Sequence, residues 1–421
     1  MIDSIAFIED GGVTSAQGFK AAGIHAGFRK NPERFDMALV VADEPCACAG
    51  TFTQNVFCAA PVIVSREHLE GVSYGTARAA VVNSGIANAA TGERGLEAAR
   101  EMARITGDAV GCPAQEVMVA STGVIGQHLP LEPFATGVPA ACALLSREGG
   151  HDAARAIMTT DTHPKESAAT FSVDAAAYEG CTFTVGGMAK GSGMIMPNMA
   201  TMISVITTDA PVAADVLHAA LVRAVNKSFN KVTVDSDTST NDTCLLFASG
   251  AAAPAGAAPF APGTSELAAF EEALQVVCVN LARQMAADGE GATRLIECCV
   301  TGAEDHATAK TVAKSIVCSS LVKAAMFGAD ANWGRVLCAI GYSGTHVDVH
   351  KVDVFFRSAA GTVCVCTHGA GVPFSEEEAK QILLEKEIEI LVDLNAGDEG
   401  ATAWGCDLTY DYVKINGDYR T

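Results

Sequence analysis

Three stretches hold residue types and spacings that could do chemistry. The first is a glycine-rich turn at 186–194 (GGMAKGSGM), followed by Pro197-Asn198-Met199-Ala200-Thr201 and an apolar run. A Walker loop needs Gly-Lys-Ser/Thr at its end and a glycine six positions before the lysine. Here Lys190 precedes Gly191 and position 184 is Thr, so this is not a Walker loop. What is left is a turn that brings a lysine and a threonine to the head of a strand, where a β-branched residue is at home anyway. The second stretch, ASTGVIG at 120–126, reads by itself as a tight turn. The third, HVDVH at 346–350, spaces His346 and His350 four apart, which on a helix could hold a metal ion. Its alternating valines point to a strand instead, and no third ligand is evident, so no metal is expected.

These residues must be carried by alternating elements. Residues 38–41, 62–65, 80–83 and 117–120 read as strands, and 95–107 as a helix with Leu96, Ala99, Met102 and Ile105 on one stripe. Residues 250–264 are a Pro/Ala/Gly-rich loop without charge, followed by a helix at 265–286 with Glu266 in its first turn. Further helices are expected at 308–326 and 375–386, and strands at 346–357 and 362–367. Strands and helices alternate throughout, so the class is α/β, or α+β in layers.

Composition sets the outer limits. The chain has 421 residues, 49% of them hydrophobic and 18% charged, which excludes a disordered chain. At ~100–200 residues per domain, two or three domains are expected. With 28 basic against 49 acidic residues the net charge is −21, which argues against nucleic acid or a membrane surface as partner. The fifteen cysteines form no CxxC pair, and the N-terminus shows no basic stretch leading into an apolar one. Reduced cysteines in a cytoplasmic protein are the expectation.

KGSGMIMPNMATMISVITTDA at 190–210 resembles the cleavage and nucleophile motif of the ornithine acetyltransferase (glutamate N-acetyltransferase) family of arginine biosynthesis. Other segments resemble that family in order: VVNSGIANAATG (81–92), ASTGVIG (120–126), IMTTDTHPK (157–165), VDSDTSTNDT (234–243), DGEGATR (288–294), SSLVKAAMFGADANWGRV (319–336) and ATAWGCDLTYDYVKINGDYRT (401–421). Departures are Met196 in place of a frequent His, Ile86 in place of Asn and Ala90 in place of Cys.

The resemblance implies a four-layer αββα core of the N-terminal-nucleophile type with a smaller C-terminal α/β domain. It implies self-cleavage of the Ala200–Thr201 bond into fragments 1–200 and 201–421. Residues 201–288 would complete the core and 289–421 would form the smaller domain. The fragments would stay together as a heterotetramer of two alpha and two beta pieces. An N-terminal Thr201 carries its own base, since an α-amine titrates near ~8 against ~10.4 for a lysine. The oxyanion donors carried over from the family are at Thr122 and Gly123. The α-carboxylate shared by N-acetylornithine and glutamate needs a cation, which Lys190 fits, and a hydroxyl, which Thr159 or Thr160 fits. Glu290 fits the δ-ammonium of ornithine. The family places its C-terminus in the site, which implies Asn416 and Thr421. No bound cofactor is expected; acetyl-CoA is a further acetyl donor in bifunctional members. A histidine base from elsewhere, His163 or His368, has no support in the family. Three rivals remain: a monofunctional ornithine acetyltransferase, an N-terminal-nucleophile amidase or aminopeptidase, and a non-catalytic binding protein.

Overall fold

The computed structural model describes residues 5–71, 75–196 and 202–418. Its larger sheet has nine strands: β1 (Ala6–Phe7), β2 (Phe19–Ile24), β3 (Met37–Phe52), β4 (Thr76–Ile86), β5 (Val117–Val124), β6 (Lys165–Ser172), β7 (Thr182–Lys190), β8 (Ile203–Thr208) and β9 (Thr243–Ala248). They run in the order β1-β6-β7-β8-β9-β3-β4-β5, with β2 paired to β3. The 16-residue β3 explains how one sheet makes two layers. Its first half pairs with β2 through Met37–Ala42, and its second half pairs with β9 through Ala47–Phe52. Between them the register to β4 shifts, from Val41 to Cys46, as at a bulge that bends and twists a strand.

Side-chain alternation then fills three apolar layers. Ala38 and Val40 of β3, Ala80 and Val82 of β4, and Met118 and Ala120 of β5 face Met188, Ile203, Val205, Leu245 and Phe247 across the fold. Their sequence neighbours Leu39, Val41, Ala79, Val81, Val117 and Val119 point the other way. There they pack on α1 (Ala60–Glu70), α2 (Gly92–Val110) and α3 (Glu132–Leu144), while α4 (Gly150–Ala156) closes the inner layer with Ala153 and Ala154. On the far side, Phe171, Phe183, Val185, Ile206 and Leu246 meet Leu217 and Leu221 of α5 (Ala214–Lys227) and Phe270, Leu274 and Leu281 of α6 (Ser265–Ala287). The result is the four-layer αββα arrangement, its two β layers hydrogen-bonded into one sheet folded along β3.

A six-stranded sheet of β10 (Leu295–Ala303), β11 (Asp353–Ser358), β12 (Gly361–Thr367), β13 (Ala370–Gly371), β14 (Glu387–Asp393) and β15 (Glu399–Cys406) follows. One of its faces is covered by α7 (His306–Cys318), α8 (Ser320–Phe327), α9 (Trp333–Gly341) and α10 (Glu376–Leu383). The last helix, α11 (Tyr410–Asp418), returns to the core: Tyr412 Oη donates to Asp235 at 3.2 Å.

Several expected elements differ. Residues 62–65 lie in α1, not in a strand: Pro61 opens the helix, and Val62 and Val64 are buried in different apolar layers. The strand expected from 346 begins only at Asp353. Asp348 accepts the His350 N–H at 3.1 Å, a side-chain turn that competes with ladder pairing, and both histidines are exposed. The helix expected at 308–326 is two, separated at Ser319, whose Oγ caps α8 by accepting the Val322 N–H at 3.3 Å. Helix α6 starts at Ser265 as expected and is capped by Thr264, whose Oγ1 accepts the Leu267 N–H at 3.3 Å. The helix expected at 375–386 ends at Leu383.

Candidate active site

A cavity of about 140 Å³ opens where the ends of several elements meet. Its wall includes Thr122, Gly123, Thr159, Thr160, Lys190, Glu290 and Asn416, residues drawn from five separate sequence segments. Met202 and Ile203, the first described residues after Thr201, line it as well. Ala200, Thr201 and Thr421 lie outside the described residues. Neither His163 nor His368 lines this cavity: His163 hydrogen-bonds Thr162 Oγ1 at 3.1 Å, and His368 lies 3.7 Å from Asp353.

Thr122 and Gly123 lie within the last three residues of β5, not in the tight turn expected there, paired in parallel register with Ser84 and Gly85 of β4; the chain turns through the positive φ of Gly123. Gly123 has φ +129°, and a Cβ placed there would sit 2.2 Å from the Gly85 carbonyl carbon and 2.6 Å from the Ile86 nitrogen. Only glycine lets these two backbones approach so closely. The turn is tied down by side chains buried beneath it. Ser121 Oγ donates to Asn83 Oδ1 at 2.6 Å, and Asn83 Nδ2 donates to Ile86 O at 3.0 Å. Asn241 donates through Nδ2 to Ala87 O at 2.6 Å and to Ser121 O at 2.8 Å. Backbone N–H groups held this rigidly can stabilise an oxyanion without reorganising.

Lys190 ends β7, and its register partner on β8 is Ile203. Burial pushes its ammonium below the usual lysine range, while Asp161, Glu290 and Asp242 pull it back up. Asp161 spends its carboxylate elsewhere. Its Oδ1 accepts from Lys165 Nζ at 2.7 Å and from the Gly191 N–H at 2.7 Å, and its Oδ2 from the Thr159 N–H at 2.9 Å. Burial alone would raise the Asp161 carboxyl, but Lys165 and Lys190 outweigh it and hold it well below the usual range. Lys165, fully buried, also donates to Asp288 at 2.6 Å. This buried triad fixes the loop that presents Thr159 and Thr160, and Thr160 Oγ1 shares a 2.7 Å hydrogen bond with Ser192 Oγ.

Glu290 sits in the loop between α6 and β10, its N–H donating to Ser192 O at 2.8 Å. Its carboxylate accepts from Asn416 Nδ2 at 2.7 Å. A Cβ on Gly193 would lie 2.3–2.4 Å from that carboxylate, so the glycine makes room for it. Asp235 accepts the Met194 and Ile195 N–H groups at 2.6 and 2.8 Å and so anchors the glycine-rich turn. Asp242 is buried in the cavity wall, one residue before β9, with no hydrogen-bond partner for Oδ2 among the described residues. Burial raises its carboxyl well above the usual range, against hydrogen bonds from Ser239, Met202 and Thr53 and the charge of Lys190. Sequence reasoning assigned nothing to Asn241, Asp242, Asp161 or Lys165. The one available signal was that all four fall inside the family-like segments 157–165 and 234–243.

The cavity thus offers a cation, a carboxylate, hydroxyls and a rigid backbone turn. It is fitted to bind a small zwitterion and to hold a developing oxyanion. The profile of the ArgJ family matches residues 20–421. The chain is 50% identical over 412 residues to an arginine biosynthesis bifunctional protein of Symbiobacterium thermophilum, covering 98% of this chain and 99% of that one. It is 48% identical over 414 residues to the protein of that name from Caldanaerobacter subterraneus subsp. tengcongensis, with 98% and 100% coverage. A solved arginine biosynthesis bifunctional protein of Bacillus halodurans aligns with TM-score 0.48 and 47% identity, over 51% of this chain and 98% of that chain. On this match over nearly its whole length, the chain belongs to the ArgJ family.

Proposed function

We propose that this acetyltransferase of arginine biosynthesis moves the acetyl group of N2-acetylornithine to glutamate through an ester on Thr201. One observation carries the reading: Thr122, Gly123, Thr159, Thr160, Lys190, Glu290 and Asn416 surround one cavity, and Met202, next to Thr201, forms part of its wall. The Thr201 hydroxyl first attacks the Ala200 carbonyl. The carbon–nitrogen bond between the two residues breaks, which leaves an ester and a free α-amine on Thr201, and water then hydrolyses the ester to free the Thr201 hydroxyl and a carboxylate on Ala200. That amine takes the hydroxyl proton when Thr201 attacks the acetyl carbonyl of N-acetylornithine. The oxyanion is held at Thr122 and Gly123, and the collapsing intermediate passes the proton to the departing amine of ornithine. Glutamate enters, and its amine reverses the sequence to give N-acetylglutamate.

Lys190 holds the α-carboxylate common to both substrates, with a hydroxyl of Thr159 or Thr160. Glu290, oriented by Asn416, receives the δ-ammonium of ornithine, and Thr421 joins them at the chain end. The enzyme acts in the cytoplasm as a heterotetramer of two 1–200 and two 201–421 fragments. Residues 201–288 complete the core and 289–421 form the smaller domain. The similarity to proteins named bifunctional supports acetyl-CoA as a second acetyl donor. The test is steady-state transfer from N-acetylornithine to glutamate by wild type and Lys190→Ala. The variant is expected to raise KM for both substrates; a rise for one alone removes Lys190 from the shared carboxylate, and no transfer by folded wild type overturns the reading.

A further inference from the structure

A second, larger cavity of about 1030 Å³ adjoins the first and shares Gly123, Thr159 and Thr160 with it. Its wall also holds Phe28, Ile86, Met158 and Ile415 and three cations, Arg29, Lys30 and Arg34. Such a basic rim stands out in a chain of net charge −21. Two of the cations are fixed on the loop that presents Thr159 and Thr160: Arg29 Nη2 donates to Met158 O at 2.6 Å, and Arg34 Nη2 to Thr159 O at 2.8 Å. Lys30 is exposed between them. The acids nearby are engaged. Asp36, fully buried, accepts the N–H groups of Ala26, Gly27 and Arg29 in the segment that carries the cations. Asp161 is held by Lys165.

The geometry sets a constraint. Every acetyl donor must place its carbonyl at the Gly123 turn, so its leaving group must run out from there through one of the two openings. The opening with Lys190 and Glu290 suits an amino acid. Neither N-acetylornithine nor glutamate needs the second one, which has apolar walls and a cationic rim.

We propose that this second cavity seats a thioester acetyl donor with a phosphorylated nucleotide tail, its phosphates on Arg29, Lys30 and Arg34 and its uncharged arm along Phe28, Ile86 and Met158. This rests on the transfer reading above and gives that donor a place. In the step, the Thr201 oxygen bonds to the acetyl carbon, the carbon–sulfur bond breaks, and the thiolate takes the hydroxyl proton through the α-amine, so no oxidant or reductant is needed.

The test compares acetyl-CoA with S-acetylpantetheine, which has the same thioester and no phosphates, as donors to glutamate. The variant is Lys30→Glu/Asn31→Asp; Asp at 31 keeps the acceptor that the Glu33 N–H uses at 3.0 Å. Wild type is expected to prefer acetyl-CoA, and the variant to lose about tenfold in kcat/KM with acetyl-CoA at low salt while staying within about twofold with S-acetylpantetheine. Transfer from N-acetylornithine is expected to be unchanged in both. Equal use of the two thioesters by wild type, a parallel loss with both, or no loss with acetyl-CoA overturns the proposal. Wild type that exchanges N-acetylornithine with glutamate but neither turns over acetyl-CoA nor binds coenzyme A in calorimetry also overturns it, and leaves the transfer reading standing.

Discussion

Gly123→Ala isolates the backbone turn on which the proposed oxyanion stabilisation depends. The added Cβ would lie 2.2 Å from the Gly85 carbonyl carbon, whereas ordinary contacts begin near 3.4 Å. The two strand ends must therefore part by roughly 1 Å, and alanine at φ +129° adds a backbone cost of ~1–3 kcal/mol. A displacement of ~1 Å at reacting groups costs up to ~10²-fold, and losing one oxyanion donor costs ~10²–10³-fold. A drop in kcat/KM of about 10²–10³ is expected, with self-cleavage slowed as well because the same turn serves both steps. The control is Gly126→Ala in the same segment. Gly126 also has positive φ, +83°, but no described residue lies within 4 Å of its added Cβ. That variant is expected to share the backbone cost and keep activity within about threefold. Transfer assays on folded protein, with the thermal midpoint of each variant measured alongside, decide it. Wild-type kcat/KM in Gly123→Ala, or an equal loss in Gly126→Ala, refutes the role of the turn.

Two further outcomes follow from charged groups at the site. The folded Asp161 carboxyl lies below its unfolded value near ~4, so it contributes stability above pH ~4 that is lost as pH falls further. Asp161→Asn leaves Lys165 half-compensated, a change on the order of 3–5 kcal/mol for a buried pair; the Tm gap to wild type should be full at pH 7 and begin to narrow below pH 4, and a gap constant down to pH 3 contradicts this. Glu290→Gln keeps an acceptor for Asn416 and removes the charge; KM should rise about tenfold or more for N-acetylornithine and little for glutamate, and equal rises would move Glu290 away from the δ-ammonium.

The layers and the cavity were legible in the sequence to different degrees. Short apolar runs at 38–41, 80–83 and 117–120 exposed the central strands, because each buries opposite faces in two apolar layers. The same apolar run at 62–65 misled: α1 is buried on more than one side, and local pattern does not separate that from a strand. Thr122, Gly123, Lys190, Glu290 and Asn416 were readable as motif positions, each set off by glycines or a turn. The residues that hold them were not. Lys165 meets Asp288 across 123 positions and Asn241 reaches Ser121 across 120, and such pairings leave no local periodicity to read. The cationic second cavity was also invisible, since Arg29 and Arg34 become a rim only when Met158 and Thr159 fold beneath them.

The central claim is that one hydroxyl, on Thr201, opens the chain and then carries the acetyl group. Intact-mass analysis of the purified protein, before and after N-acetylornithine is added, tests it most directly. Two species are expected, residues 1–200 and 201–421, with one acetyl group gained by the second on adding N-acetylornithine and lost again on adding glutamate. Thr201→Ala should give one uncut chain that gains nothing. A fully active uncut wild-type chain, or an acetyl group on any residue other than Thr201, would contradict the account.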